Sequence, residues 1–163
     1  MWKQILKALQ RIALSENDKI NTDFKFPSDQ AMDRKPEGLW YSFSLGQGWM
    51  RGQMENYGWL DAYKYILYLD TSSLNILQIK NARDAIEFLD EYAPATGKID
   101  WPRIASKYDG IEILNYRKWG RHNREVREQF YGWDMDSGCI WNTQNLKVKK
   151  VKPIEQRHYN RGE

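Results

Sequence analysis

Asp134 and Asp136 flank Met135 in the run Tyr131-Gly-Trp-Asp-Met-Asp-Ser-Gly138. Two carboxylates at this spacing can orient a ribose or position a water. The same run also reads as a turn, because Asp accepts from backbone N–H groups and Gly takes up positive φ. The aromatic company of Phe130, Tyr131, Trp133 and Trp141 adds weight to the chemical reading. Arg117, Lys118, Arg121, Arg124 and Arg127 form a basic stretch broken by Glu125 and Glu128. It reads as a solvated face or as a set of arginines that hold phosphates by charge-assisted bonds. A second run, Lys147, Lys149, Lys150 and Lys152, alternates with Val148 and Val151. That pattern is the one lysines give an edge strand to keep it from pairing.

Familiar catalytic signatures are missing. There is no phosphate loop ending in Gly-Lys-Ser/Thr and no Gly-x-Ser-x-Gly elbow. Gly46-x-Gly48 lacks the third glycine of a dinucleotide loop. Cys139 needs a base to act as a nucleophile, and His122 is the only plausible partner; a cysteine in a short apolar strand reads as core. One cysteine excludes an internal disulfide, and with only two histidines no metal is expected.

The 163 residues fit one domain, 1–163, long enough to bury a core. The 25 Lys and Arg against 22 Asp and Glu leave a net +3, short of the bias of a protein that coats nucleic acid. The first residues, interrupted by Lys3, Lys7 and Arg11, read as neither a signal peptide nor a membrane span, so a cytoplasmic location and no membrane partner are expected. Eight Trp and ten Tyr are a heavy load, concentrated with glycine in Lys35–Trp59 and Tyr131–Asn142. They read as core filling, or as platforms for a flat ligand such as a base or a nicotinamide ring.

The elements that would position these groups follow from periodicity. Ile5, Leu6, Leu9, Ile12 and Ala13 recur at helical spacing, which predicts a helix over 2–14, within an N-terminal helical segment 1–16. A short strand is expected at Phe24–Phe26, and another at Gly38–Phe43. Residues 46–58 read as a loop. Ala62–Asp70 and Leu74–Ile79 are strands, and Asn81 caps a helix with Asp84 placed as in a capping box and Ala85, Ile86, Leu89 and Tyr92 as its buried stripe. Asp100 caps a short helix carrying Pro102 in its first turn, with Ile104 and Ala105 inward. Asp109-Gly110 turns into a strand ending at Leu114; 115–130 is a polar excursion; Cys139–Asn142 and Leu146–Val151 close the sheet. The core spans 24–151 and a flexible tail 153–163. The class is α+β, with a split, mainly antiparallel sheet and two or three short helices.

The order of these pieces resembles the ADP-ribosyltransferase-like fold, of phage or bacterial type. Three stretches carry the resemblance: Lys35-Pro-Glu-Gly-Leu-Trp-Tyr-Ser42, an early strand ending in a hydroxyl residue; Tyr65–Ile79 with the helix at Ala82–Tyr92; and Tyr108–Ile113 followed by Gly138–Val148. It covers roughly residues 24–151. Such proteins hold NAD in a cleft of a split sheet. An early His or Arg contacts the ribose or phosphate, a Ser-Thr-Ser or Tyr element supports the nicotinamide pocket, and a Glu just before the last ladder orients the ribose. The resemblance thus implies NAD as the cofactor and a macromolecule as acceptor. It implies Tyr41, Ser42 and Asp136 as catalytic residues. Lys35, Gly38, Trp40, Tyr41, Trp49, Arg117 and Arg124 would contact the nucleotide. No early His stands here, so Lys25 or Lys35 takes its place; no Glu stands at 136–138, and Asp136 is the nearest acid there.

Two other readings use the same residues. Exposed aromatics with Arg and Lys would serve a non-catalytic module for nucleic acid or a partner protein. An aromatic surface rich in Trp, Tyr and Arg would also suit a small phage-type inhibitor docking on a host protein.

Overall fold

The computed structural model describes residues 10–20, 35–43, 63–93, 97–133 and 135–154. The expected strand at Phe24–Phe26, the loop 46–58 with Trp49, Lys25, Asp134, and the tail from 155 onward lie outside the described residues.

Among the described residues, seven strands form one sheet: β1 (Arg11–Ser15), β2 (Leu39–Phe43), β3 (Tyr65–Asp70), β4 (Ile76–Ile79), β5 (Gly110–Ile113), β6 (Ser137–Ile140) and β7 (Lys147–Pro153). Their order is β4-β5-β6-β2-β1-β3-β7. Among these described strands, only the β4–β5 pair is parallel. The connection between them carries α1 (Ala82–Tyr92) and α2 (Trp101–Ala105), as a parallel crossover requires. β2 joins the two ends of the sheet: Leu39, Trp40 and Tyr41 pair with β6, whereas Ser42 and Phe43 pair with β1, opposite Ile12 and Arg11.

The segment 11–15 corrects the last part of the helix expected over 2–14, whose residues 2–9 lie outside the described residues. Ile12 and Ala13 fit a helical stripe in sequence, yet β1 is a central strand paired on both sides. Both sheet faces are covered at β1, so Ile12 and Ala13, which point to opposite faces, are both buried. A strand buried on both faces loses its alternation, and a short apolar run of that kind cannot be told from a helix by period.

The helices obey their caps. Asn81 accepts from the Asp84 N–H at 2.8 Å, and Asp84 accepts from the Lys80 N–H at 3.0 Å. The buried face of α1 is Ala85, Phe88, Leu89 and Tyr92, with Ile86 at its margin. Asp100 caps α2 through the Arg103 N–H. The stretch expected to be an irregular excursion holds two further short helices, α3 (Tyr116–Trp119) and α4 (Arg124–Gln129). Trp119, Val126 and Phe130 sink from it into the core, at a spacing too sparse to stand out among its charges.

Two apolar layers sandwich the sheet. On one face the helices bury an aromatic cluster with Phe88, Trp101, Trp119, Phe130, Trp133 and Trp141. Its strand residues are Ile79, Ile111, Ile113 and Cys139. Their rings meet edge-on or tilted, as in Trp119 against Phe130 with centroids 5.5 Å apart. Trp141 Nε1 donates to the Tyr108 carbonyl and Trp119 Nε1 to the Leu114 carbonyl, so these indoles are buried with their polar ends satisfied. The other face collects Ala13, Leu39, Tyr41, Phe43, Leu67, Leu69 and Ile140. No helix among the described residues is long and apolar enough to cross a membrane.

Candidate functional site

Side chains of a strand alternate between faces, so register decides which residues meet. Gln78 lies opposite Glu112, Glu112 opposite Gly138, and Gly138 opposite Tyr41. These four positions make one row across β4, β5, β6 and β2. Arg11, opposite Phe43 on β1, joins the same face. The row therefore brings a cation, a carboxylate, a phenol and an amide together on the face away from the helices.

Their hydrogen bonds converge on the Glu112 carboxylate. Arg11 grips it with both Nε, to Oε1, and Nη2, to Oε2 at 3.0 Å. The Tyr41 hydroxyl donates to Oε1 at 2.8 Å, and Gln78 Nε2 donates to Oε2 at 3.0 Å. Glycine at 138 is what lets Tyr41 reach. A Cβ there would stand 2.2 Å from the ring's Cζ and 2.4 Å from its hydroxyl oxygen.

Glu112 is fully buried, yet Arg11 keeps 18 % of its side-chain surface open, so solvent reaches the cluster from the Arg11 end. Burial alone would push the Glu112 carboxyl up. The bonds and charge of Arg11, with those of Gln78 and Tyr41, outweigh it and hold the group below its ordinary value. Burial works against the Arg11 charge, and the Glu112 carboxylate more than restores it. Burial and the neighbouring carboxylate both raise Tyr41 well above the usual phenol range, so it stays a donor. The cluster is thus a carboxylate fixed in its charged form, beside a permanent cation and a neutral phenol. Such a group can accept from a sugar hydroxyl or face a developing positive charge; it is unsuited to giving up a proton at neutral pH.

The residues expected from sequence fall differently. Tyr41 is in the cluster. Ser42, its neighbour on β2, points to the helix face, where its buried hydroxyl has no hydrogen-bond partner among the described residues. Asp136 is occupied elsewhere: its carboxylate accepts from the Asn115 N–H at 3.1 Å and the Tyr116 N–H at 2.9 Å. There it caps α3, whose own N-cap residue, Asn115, has a left-handed φ of 55° and makes no side-chain cap. Tyr41, Ser42 and Asp136 are therefore not brought to one cleft. Trp40 lies on the Ser42 side, half-buried against Trp133 at 5.0 Å, with Lys35 Nζ 5.4 Å from its ring centre. Gly38 allows close approach of β6, since a Cβ would meet the Ile140 carbonyl oxygen at 2.5 Å. Arg117 is exposed, and Arg124 pairs with Glu128 one turn along α4 at 2.9 Å. Cys139 is buried, its thiol raised well above the usual range by that burial.

Arg11 and Glu112 were missed as site residues. Arg11 was masked by a helical pattern, and Glu112 stands between Ile111 and Ile113 like the outward residue of an alternating strand. The burial of Glu112 shows only in the structure, where all four positions of the strand Gly110–Ile113 are buried. An acid in such a strand needs a partner.

No family model, curated protein or solved structure matches the chain.

Proposed function

We propose that the chain is an ADP-ribosyltransferase-like protein that binds NAD or a related nucleotide at the Arg11–Glu112–Tyr41 cluster and transfers ADP-ribose to a macromolecular acceptor. The observation that carries this reading is the convergence of Arg11, Tyr41 and Gln78 on the buried Glu112. The resemblance asks for an early His or Arg, a Ser-Thr-Ser or Tyr element and a Glu just before the last ladder. Arg11 on β1, Tyr41 on β2 and Glu112 on β5 supply those three types in that order. Glu112 replaces Asp136 in the role of the acid, and Arg11 replaces Lys25 or Lys35 in that of the early cation.

Each residue then has one task. Arg11, reached by solvent, turns part of its guanidinium to the diphosphate, for which its planar fork is suited. That movement frees lone pairs of Glu112 for a ribose hydroxyl and for the positive charge that develops on the ribose as nicotinamide leaves. Tyr41 and Gln78 keep the carboxylate oriented throughout. A buried ion pair is a poor source of net stability compared with apolar residues of the same volume, so a polar cluster at the centre of the sheet favours a working site.

A thermal-shift titration with ADP-ribose, NAD and nicotinamide tests the proposal on the wild type and on Arg11→Met. A ligand present at 100 times its Kd should stabilise the wild type by about 2.7 kcal/mol. ADP-ribose and NAD should raise the wild-type transition and leave Arg11→Met unmoved. No shift of the wild type with any of the three overturns the reading.

A further inference from the structure

Residues 115–133 hold five Lys or Arg against two Glu, so the net +3 of the whole chain resides in this segment and the remainder is neutral. Sparse apolar anchors fold the segment onto the core. Trp119, Val126 and Phe130 are buried, while Arg117, Lys118, Arg121, Arg124 and Arg127 are all exposed. The Tyr116 hydroxyl donates to the Phe130 carbonyl at 2.7 Å, and the Trp119 ring meets that of Phe130 edge-on. These contacts tie α3 to the end of α4. Arg117, next to Tyr116, and Tyr131, next to Phe130, are thereby brought to the same end of the hairpin.

Few acids restrain these cations. Glu128 holds Arg124, one turn away on α4, at 2.9 Å. Among the described residues, Arg117, Lys118, Arg121 and Arg127 have no acid partner. Tyr131 is 71 % exposed at the end of the run, although the neighbouring Phe130 and Trp133 are buried. Gly132, which follows it, has no side chain, and the stem of Lys35 fills that space: a Cβ on Gly132 would stand 2.9 Å from Lys35 Cε. Lys35 is itself exposed, with its ammonium 5.4 Å from the Trp40 ring centre. An open ring thus adjoins a lysine held against Gly132 and the unpaired arginines of α3 and α4. Solvation alone explains the arginines. The open ring in their company is what matches a base next to its phosphates.

From this arrangement we infer that the α3–α4 surface binds single-stranded nucleic acid. Tyr131 stacks on a base, and Arg117, Arg121, Arg127 and Lys35 take the flanking phosphates, the arginines by charge-assisted bonds. Every one of these five residues is exposed. An acidic peptide would use the cations and leave the ring idle, and a duplex would keep its base faces from Tyr131. The inference is independent of the nucleotide proposal, because the helices lie on one face of the sheet and the Arg11–Glu112 cluster on the other.

Fluorescence anisotropy with a labelled oligo-rU and oligo-dT tests it on the full chain, each variant being checked for an unchanged thermal transition. Arg117→Ala/Arg121→Ala removes two phosphate contacts and should weaken binding and reduce the slope of log affinity against log salt by about 1.4. Tyr131→Ala should weaken binding about tenfold with the slope unchanged, as loss of one stacked base would, and Tyr131→Phe, which keeps the ring, should bind as the wild type does. Lys150→Ala/Lys152→Ala removes the same charge from β7, four strands from β6 or about 19 Å away. At about 0.1 M salt that distance exceeds the screening length, so this variant should bind as the wild type does. No saturable binding at low salt, equal weakening by the β7 variant, an unchanged affinity in Tyr131→Ala, full competition by polyglutamate, or equal affinity for duplex each overturns the inference.

Discussion

The Tyr41 phenol crosses the Cα of Gly138, on the strand between them, to donate to Glu112 at 2.8 Å. The crossing makes Gly138 a steric partner of a polar cluster rather than a turn residue. Gly138→Ala should displace the ring, break the bond to Glu112 and destabilise the fold by about 1–3 kcal/mol, as overpacking does. Urea unfolding measures the cost; a change below a few tenths of a kcal/mol would show that the ring can yield.

The Arg11–Glu112 pair should couple strongly. Removing one partner strands a buried charge, at a cost of about 3–5 kcal/mol. Arg11→Met and Glu112→Leu alone should each destabilise in that range, and the double variant should cost much less than their sum. Additive losses in a double-mutant cycle would contradict direct pairing.

The pKa directions give stability a defined pH window. Glu112 is lowered on folding, so its contribution is present above the unfolded carboxyl pKa and is lost as pH falls through the lower folded value. Tyr41 and Cys139 are raised, so their contribution is present below their unfolded values and is lost as pH rises beyond them. Stability measured against pH should therefore fall at both ends. Glu112→Gln should flatten the acid limb and also weaken the alkaline limb, since the carboxylate is, after burial, a cause of the raised Tyr41; an unchanged acid limb would assign it to other carboxylates.

Asp136 should behave as a cap. Asp136→Ala removes the acceptor of the Asn115 and Tyr116 N–H groups and should cost about 1 kcal/mol. It should leave any response to ADP-ribose intact. A lost response in a folded Asp136→Ala variant would return this residue to the site.

Cys139 should be silent to thiol reagents in the native protein and react only on unfolding, because burial disfavours its thiolate. Native-state labelling at a rate near that of a free thiol would contradict its place in the core.

The sequence revealed the fold where pattern and cap agree. Asn81 with Asp84, Asp100 with Pro102, and the aromatic run ending at Asp70 each specify an element locally, and each stands where it was expected. The failures lie where tertiary pairing overrides local pattern. Ile12 and Ala13 match a helix until β2 and β3 pair with them. The site was half legible: Tyr41 and the strand before it are marked by their residues. Arg11, Gln78 and Glu112 lie at sequence positions far apart, and only the register of five strands unites them. Asp136 attracted attention through its aromatic neighbours, which turn out to be core: Trp133, Phe130 and Trp141 are buried, and of that group Tyr131 alone is largely exposed.

The most direct measurement follows the Arg11 Nε–H resonance, assigned by its loss in Arg11→Lys, through a titration with ADP-ribose. The account predicts that this signal moves saturably, because the guanidinium exchanges part of its bond to Glu112 for the diphosphate. A saturating ligand that shifts other resonances and leaves Arg11 Nε–H in place, or no saturable shift at all, would contradict it.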